Sequence, residues 1–494
     1  MAWLEKYQIR RTFALTAFYV AFIIGIKAAS SGYAIPAAWL CLPGMLICIV
    51  RRRTFIWLIF VVLLGLGVGI WRGAAFARGL EIYYPLYGQK ITLSMRASED
   101  GVYGKNSQMS FDADHVFYDG VQLPGKITVS GFGVSSVYQG DEIQATAKLY
   151  PGFGAYQARM SYAQLALVRH HPSLIASIRR NFAAGMQSAL PEPLASFAMG
   201  LLIGQRATLP ADVKQDLLMV GLTHIIAVSG YNLTIMLQAG KGIFGKASKR
   251  LATLLQFLLM GAFVLLAGSS ASIVRAAIVS TLSIIAGYYG RSFKPFNLIA
   301  LAAAISVWVN PVYIWSDASW YLSFLAFLGV MVLAPALSER LKPGYKPPLI
   351  VAIALESVCA EIMTLPYVLH TFGQMSFIGL PANVLVVTFV PLAMLLGTLA
   401  GIAGMFAPPL AGWVAWPARF LLTYMLDVAH VLSRVPHVFV QQIGFTVQEM
   451  MVVYAVIALL MVSVGFKARS KNGTITDRKG HQERNVRTFQ MVND

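Results

Sequence analysis

An apolar run from Leu217 to Leu237 is interrupted near its middle by polar and small residues. The interrupting residues are His224, Ser229, Gly230 and Asn232. Lipid offers no partner for their polar groups, so a segment at bilayer depth keeps them only where protein or water satisfies them. The Ser-Gly pair is also typical of a kink or break. Two interpretations fit: a broken helix that lines a cavity, and a kinked core helix bonded to its neighbours.

A second candidate is Arg275, which lies near one end of the apolar segment GSSASIVRAAIVSTLS, with Ser272 one turn before it. An arginine at this depth is costly unless it is paired or wet, and its forked donor suits a phosphate. An ion pair with Asp317 explains the same residue equally well. The sequence leaves both the phosphate site and the ion pair open.

Asp317 opens the apolar stretch DASWYLSFLAF, which contains Trp320 and Tyr321. Aromatic rings at this position are able to stack nucleic-acid bases. A belt of Trp and Tyr at the membrane surface is the more common reason for such residues. The two aromatic residues are therefore candidates for a DNA path, with an interfacial belt as the alternative.

Further polar residues fall inside predicted spans, namely Glu356, Glu361, Asn383, Asp427 and His430. Buried carboxylates often mark ion or proton paths. Glu356 and Glu361 are five residues apart, so they point to different faces of a helix and form no obvious acid–base pair. Asp427, His430 and Arg434 share one helix face, which predicts an internal ion pair among them.

The sequence gives little support for an enzyme. It contains no zinc-ligand cluster, no phosphate-binding glycine loop and no nucleophile elbow. His224 and Ser229 resemble two members of a catalytic triad, but their spacing on one helix turns them apart. Cys41, Cys48 and Cys359 lie in apolar segments without metal-ligand spacing. No catalytic residue, metal or cofactor is predicted.

The elements that position these residues are predicted to be membrane helices. The chain has 494 residues, of which 57% are hydrophobic and 12% charged. Apolar windows recur along most of it and predict a polytopic α-helical membrane protein with about twelve transmembrane helices. Much of the net charge of +18 lies in short loops and termini, such as Arg51–Arg53. The positive-inside rule then places both termini in the cytoplasm, so this charge is no evidence for a nucleic-acid partner.

The segment 84–168 differs from the rest of the chain. Alternating stretches such as KITLSMRA and DEIQATAKLY are separated by turn residues, which predicts about five short strands. That count suits a small extracytoplasmic β-barrel of the OB type, a fold that binds single strands or serves as a scaffold. Residues 88–168 include six basic and seven acidic side chains, so bulk charge does not support strong phosphate binding.

The chain is therefore predicted to have five segments. They are three N-terminal spans (1–72), the β-domain (84–168), an amphipathic interfacial helix (172–190), a second transmembrane domain (191–466) and a basic cytoplasmic tail (467–494).

Several blocks together resemble the ComEC family of competence DNA-uptake channels. The blocks include GLLIGQRATLP with GLTHIIAVSGYNL, SASIVRAAIVS, DASWYLSF, LPYVLHTFGQMSFIGLPANVLVVTFVPL and QGDEIQATAKLYPG with AYQARMSYAQLALV. They extend over roughly residues 35 to 440, and several blocks in this order are far more specific than one motif. The resemblance implies an inner-membrane channel that passes one strand of incoming DNA into the bacterial cytoplasm.

Carried over by position, the DNA-path candidates are His224, Ser229, Gly230, Asn232, Ser272, Arg275, Asp317, Trp320 and Tyr321. The resemblance implies single-stranded DNA, membrane lipid and an extracytoplasmic DNA receptor as partners. Because the chain has no nucleotide-binding motif, a cytoplasmic ATPase or strand-binding protein is expected to supply the pulling force. No oligomeric state is predicted.

The chain departs from the family pattern in three places. Asn232 stands where relatives typically have a histidine, and Trp320 with Tyr321 stands where a Phe-Gln pair is usual. Many relatives continue into a metallo-β-lactamase-like domain, whereas this sequence has no His-x-His-x-Asp-His motif, so no nuclease activity of that type is expected. Two alternatives are a secondary transporter that uses Glu356, Glu361 and Asp427, and a membrane-embedded hydrolase that uses His224.

Overall fold

The computed structural model describes most of the chain. The described residues are 9–49, 54–98, 100–103, 108–170, 174–204, 208–226, 233, 236–237, 240, 248–267, 271–290, 294–341 and 348–461. The predicted site residues Ser229, Gly230 and Asn232 lie outside them, as do the basic cluster Arg51–Arg53 and the predicted tail 467–494.

The N-terminal part consists of α1 (Arg11–Ala29), α2 (Cys41–Ile49) and α3 (Phe55–Leu80). Glycines allow α1 and α3 to pack closely. A Cβ at Gly65 would lie 2.6 Å from the Phe18 carbonyl oxygen, and a Cβ at Gly69 would overlap the Phe22 carbonyl. Small residues are the usual means by which membrane helices approach each other.

The β-domain follows α3 after a short 3-10 turn, Glu81–Leu86. Its strands are β1 (Lys90–Ala97), β2 (Val102–Tyr103), β3 (Met109–Tyr118), β4 (Val121–Leu123), β5 (Ile127–Phe132), β6 (Glu142–Pro151) and β7 (Ala158–Arg169). In β1 each second residue is buried, as the alternation in KITLSMRA predicts. The inward side chains of the longer strands form one apolar core.

The strand pairings of this domain return to their starting point. Strand β1 pairs antiparallel with both β6 and β3, and β6 pairs antiparallel with β7. Strand β7 runs parallel to β5, which pairs antiparallel with β3. The hydrogen-bonded order of the longer strands is therefore β1–β6–β7–β5–β3–β1. The short strands β2 and β4 extend β3.

The second helical part begins with α4 (Leu174–Ala189), α5 (Leu194–Ile203), α6 (Ala211–Met219) and α7 (Thr223–Ile226). It continues with α8 (Lys249–Ala267), α9 (Ala271–Tyr288), α10 (Pro295–Val309), α11 (Val312–Ser316) and α12 (Ala318–Leu328). A π-turn, Gly329–Leu333, joins α12 to α13 (Ala334–Leu341).

The last helices are α14 (Leu349–Phe372), α15 (Gly379–Val387), α16 (Val390–Phe406), α17 (Pro408–Ser433) and α18 (Val447–Met461). Two short strands, β8 (Met375–Ser376) and β9 (Phe439–Val440), pair antiparallel beside them. Helices α15 and α16 meet at an angle of 47°, as in a broken span or a re-entrant loop. A large apolar core joins α4 to α7 with α15 to α17.

The helices confirm a mostly α-helical membrane protein with a separate sheet domain. Among the described residues, four helices are long and apolar enough to cross a membrane, or up to five if the bent pair α15–α16 is one span. Helices α5 and α10 are apolar but shorter, with 10 and 15 residues. A straight span needs about 20 residues. The expectation of about twelve spans therefore stays a prediction.

Two sets of contacts connect the β-domain to the helices. In the first, the Ser316 hydroxyl donates to the Gly154 carbonyl in the β6–β7 turn over 2.6 Å. At the start of α4, Arg180 lies over the Tyr138 ring at 4.4 Å, and Arg179 lies 3.9 Å from the Asp100 carboxylate. The Ser316–Gly154 hydrogen bond places the β-domain directly beside the turn that leads into α12.

Candidate functional site

A glycine fixes the turn that precedes His224. The Gly221 N–H donates to the Leu218 carbonyl over 3.1 Å, and the Leu222 N–H donates to the Leu217 carbonyl over 2.7 Å. This pattern is a Schellman motif, and the φ of Gly221, 75°, lies in the left-handed region that favours glycine. Helix α7 therefore starts in a new direction after α6.

The imidazole of His224 is held at the start of this new helix. Its side chain is exposed, whereas the following residues Ile225 and Ile226 are buried. The Nδ1 atom lies 3.1 Å from the Gly221 carbonyl oxygen. A carbonyl only accepts, so Nδ1 carries the proton of the neutral ring and Nε2 is left as an acceptor. Among the described residues nothing bonds to Nε2, so this nitrogen is available to a ligand or to water.

Arg275 and Asp317 form the second part of the candidate site. Arg275 is 1% exposed, and its Nη2 donates to the Ser272 hydroxyl over 3.1 Å and to the Ser319 carbonyl over 3.0 Å. Its Nη1 lies 3.8 Å from the Asp317 carboxylate. The structure therefore brings together the predicted residues Ser272, Arg275 and Asp317.

This guanidinium is only partly satisfied. The Nε and Nη1 atoms of Arg275 are buried and have no hydrogen-bond partner among the described residues. A buried cation normally uses all its donors, because each unpaired polar group loses its hydration without replacement. The ion pair predicted from the sequence is present, and two donors remain for a further acceptor.

Asp317 also starts a helix. Its Oδ1 accepts from the Ser319 N–H over 2.9 Å, which caps the first turn of α12. Ser316, the residue before it, is bonded to Gly154 in the β-domain. The Arg275–Asp317 pair thus lies directly under the β6–β7 turn.

The two aromatic candidates lie in packed surroundings. Trp320 is 6% exposed and its Nε1 donates to the Ser306 hydroxyl over 2.9 Å. Tyr321 donates to the Ile314 carbonyl over 2.6 Å and stacks on Tyr367, with ring centroids 5.0 Å apart. The structure places the Trp320 ring in the core, without an open face for a base. Tyr321 is partly exposed, but one face of its ring is taken.

The ion pair predicted among Asp427, His430 and Arg434 is wrong in its partners. The His430 Nδ1 atom lies 2.7 Å from the carboxylate of Asp216 on α6, which also accepts from the Ser433 hydroxyl over 2.7 Å. Asp427 and Arg434 are exposed and make no ion pair within the described residues. Helical spacing identified a shared face, but the partner of His430 comes from a helix 214 positions away in sequence.

Some site residues were not predicted from the sequence. Ser319 gives Arg275 a carbonyl and a hydroxyl acceptor, the latter at 3.2 Å, and its place in the first turn after Asp317 was the available signal. Asp216 carried no such signal. The described residues contain no group of three or more His, Cys, Asp or Glu side chains able to hold a metal ion.

The structure thus contains two candidate regions. One is the turn that carries His224, and the other is the group of Arg275, Ser272, Asp317 and Ser319. No hydrogen bond or ion pair within the described part of the chain joins the two. Of the other predicted polar residues, Glu356, Glu361 and Asn383 are half-buried in α14 and α15.

Both regions lie in a segment that is similar to known proteins. The family model described as "Competence protein" matches residues 201–467, which is more than half of the chain. ComE operon protein 3 from Bacillus subtilis is 24% identical over 274 residues, which cover 53% of this chain and 34% of that relative. The chain spans about a third of the length of the relative. No solved structure matches the chain.

Proposed function

Because the chain belongs to the Competence protein family, we propose that it is a membrane channel for DNA uptake, which passes one DNA strand into the cytoplasm. The observation that carries this proposal is the position of the Arg275–Asp317 pair. It lies inside the family-matched helices and directly beneath the β-domain, at the Ser316–Gly154 contact. A strand that passed from the β-domain into the helices would pass close to this pair.

The chemistry of the two regions suits a nucleic-acid strand. The two unpaired donors of Arg275 are of the type that binds phosphate oxygens. The free Nε2 of His224 would accept from a base or from water. The cyclic strand order of the β-domain, with its parallel pair β5–β7, supports an OB-like barrel at the entrance. Polar groups spaced along a path are how other pores replace the hydration of a charged solute.

The proposal includes the arrangement expected from the sequence. The β-domain lies on the outer side of the cytoplasmic membrane and both termini lie inside. The partners are single-stranded DNA, lipid, an outer DNA receptor, and a cytoplasmic ATPase or strand-binding protein. The chain acts as a channel and not as an enzyme.

The test is uptake of fluorescent double-stranded DNA by cells with and without this gene. Deletion should leave DNA bound outside the cells and abolish the signal that is protected from added DNase. Complementation with His224→Asn should restore less protected DNA than the matched control His437→Asn, which changes an exposed loop histidine. Unchanged protected uptake after deletion would reject the proposal and would direct attention to solute transport.

A further inference from the structure

A carboxyl group without a partner lies at the middle of α14. Glu361 is half-buried there, and within the described part of the chain no side chain donates a hydrogen bond or forms an ion pair with its carboxylate. Thr364 bonds only to the backbone carbonyl of Glu361. An ionised carboxylate in a membrane bundle is costly unless it is paired, hydrated or neutralised by a proton. Glu361 therefore requires a charged partner, water or a bound proton.

Three polar groups converge on a space of methyl size beside Glu361. A Cβ at Gly379 would lie 3.4 Å from the Glu361 Oε1 atom, 3.8 Å from the Ser376 Cβ and 3.8 Å from the Val220 carbonyl oxygen. The Ser376 hydroxyl is buried and has no hydrogen-bond partner in the described structure. The same holds for the Oδ1 atom of Asn383, one turn further along α15. Two side chains with unused hydrogen-bonding capacity, Ser376 and Asn383, thus lie on the elements that pack beside the carboxyl.

The space suits a proton better than a metal cation. A hard cation such as Ca²⁺ or Mg²⁺ is bound by about six or more oxygen ligands. The nearest atoms to the Cβ position of Gly379 include one carboxylate oxygen and one backbone carbonyl oxygen, and the described residues contain no group of three or more His, Cys, Asp or Glu side chains able to hold a metal ion. The Glu361 carboxylate lies beside Gly379, the first residue of α15, and the dipole of that helix favours the ionised form, while burial favours the neutral form. Because these two effects oppose each other, the Glu361 carboxyl is able to exist in both its protonated and its ionised form.

An open cavity lies next to two of the residues that surround this carboxyl. It has a volume of about 340 Å³ and is lined by Gln215, Leu218, Met219, Phe439 and Gln441. Met219 precedes Val220, and Phe439 pairs with Ser376 across β8 and β9. Two of the residues around Glu361 are therefore chain neighbours or strand partners of the cavity wall.

The same carboxyl is next to the turn that carries His224. A Cβ at Gly221 would lie 3.5 Å from both the Gly379 Cα and the Ser376 Cβ. The Gly221 carbonyl is the acceptor for His224 Nδ1. A change of charge on Glu361 therefore acts on packed neighbours of the turn, and through them on the direction in which α7 starts.

From these contacts we propose that Glu361 is a proton-binding site at mid-membrane, reached from the cavity between α6 and β9 and coupled to the His224 turn. The site takes a proton from water and returns it as the carboxyl ionises. Several elements around it carry titratable or charged groups. They are Glu356, Cys359, Tyr367 and His370 on α14, Asp212, Lys214 and Asp216 on α6, His224 on α7, Tyr321 on α12, Glu339 and Arg340 on α13, and Glu449 and Tyr454 on α18. The described residues of β8 and α15 carry none.

The direct test uses the full chain in lipid bilayers and infrared difference spectra between two pH values. A carbonyl band of a protonated carboxyl should change with pH in the wild type. Glu361→Gln, which resembles the neutral form, should remove that band, and Glu361→Asp should keep a band at a shifted position. The matched control is Glu356→Gln on the same helix, in which the Glu361 band should remain. An unchanged spectrum in Glu361→Gln would overturn the proposal, and so would a band that sodium ions remove at constant pH.

The coupling to transport rests on the proposed function and has a separate readout. Protected DNA uptake should vary with external pH in the wild type, and Glu361→Gln should lose this variation at unchanged protein abundance. If the wild type supports no uptake, the proposed function fails while the infrared result still decides the proton site. If the band titrates but Glu361→Gln keeps the normal pH profile of uptake, the coupling is refuted.

Discussion

The guanidinium of Arg275 and the carboxylate of Asp317 lie 3.8 Å apart, between α9 and the first turn of α12. Both side chains are almost fully buried, with exposed fractions of 1% and 10%. The charges are close, yet the hydrogen bonds of Arg275 go to Ser272 and Ser319. Asp317 therefore compensates the charge of Arg275 mainly by proximity, while its own hydrogen bond caps α12.

This relationship predicts the effect of Asp317→Asn. The asparagine still caps α12, because its amide oxygen accepts as the carboxylate did. It leaves Arg275 as an uncompensated buried charge, which costs on the order of 3 kcal/mol of stability. We expect a lower melting temperature, measured on purified protein in detergent by size-exclusion after heating. The double variant Asp317→Asn with Arg275→Gln should recover part of the loss, and a double variant less stable than Asp317→Asn alone would refute this account.

The hydrogen bonds of Asp216 on α6 with His430 and Ser433 on α17 predict how strongly substitutions at these positions lower the stability. Asp216 accepts from both His430 and Ser433, whereas the His430 side chain makes one such bond and is 49% exposed. Asp216→Ala should cost about 1–2 kcal/mol, and His430→Ala roughly 0.5 kcal/mol, as for an exposed pair. Asp427→Ala, on the same face of α17, is the control and should have almost no effect on the melting temperature. A larger loss for Asp427→Ala than for Asp216→Ala would restore the pairing predicted from helical spacing.

Local patterns were enough for much of the fold. Residues 295–309 form an apolar helix, as the recurring apolar windows predict, and Pro295 is favoured at its start. The alternation in KITLSMRA became β1 with each second residue buried. Mostly helical architecture with a separate sheet domain is therefore readable from the sequence.

Long-range partners were not readable in this way. Nothing near His430 in sequence indicates that Asp216 faces it. Likewise, nothing near Trp320 indicates that Ser306, on another helix, accepts its N–H. Asp317 was named as a partner of Arg275 because few acidic residues lie in apolar segments, so the choice was small. The partner of a rare charged residue can be predicted by elimination. The partners of aromatic and common polar residues are known only once the packing of the helices is known.

In the β-domain, Asp112 predicts a dependence of stability on pH. Burial raises the pKa of this carboxyl above its ordinary value, although hydrogen bonds from Tyr156 and Thr128 oppose the shift. A raised pKa in the folded state means that stability is fully present below the unfolded pKa, about 4, and is lost as pH rises through the folded pKa. Asp112→Asn should remove this loss, and its Oδ1 still accepts from Tyr156, whose hydroxyl lies 2.5 Å from Oδ2 in the wild type.

The measurement for Asp112 is calorimetry of the full chain in detergent between about pH 4 and pH 8, a range that starts near the unfolded pKa and extends above it. The wild-type transition of the β-domain should fall with rising pH more steeply than that of Asp112→Asn. The control is Asp119→Asn at the exposed turn between β3 and β4, whose positive φ suits asparagine. Parallel curves for wild type and Asp112→Asn would show that the buried carboxyl is not the cause.

The packing of α4 on α16 depends on glycines and predicts a strong effect of one methyl group. A Cβ at Gly404 would overlap the Gly185 carbonyl, and a Cβ at Gly185 would lie 2.6 Å from the Gly401 carbonyl oxygen. Gly404→Ala must therefore push the two helices apart, at a cost of about 1–3 kcal/mol. Gly412→Ala on α17 is the matched control, because no atom lies within 4 Å of its Cβ position. The melting temperature should fall in Gly404→Ala and stay near the wild-type value in Gly412→Ala. Equal melting temperatures would mean that α4 does not pack on α16 through these glycines, and the amphipathic segment 172–190 would then remain free to lie along the membrane surface.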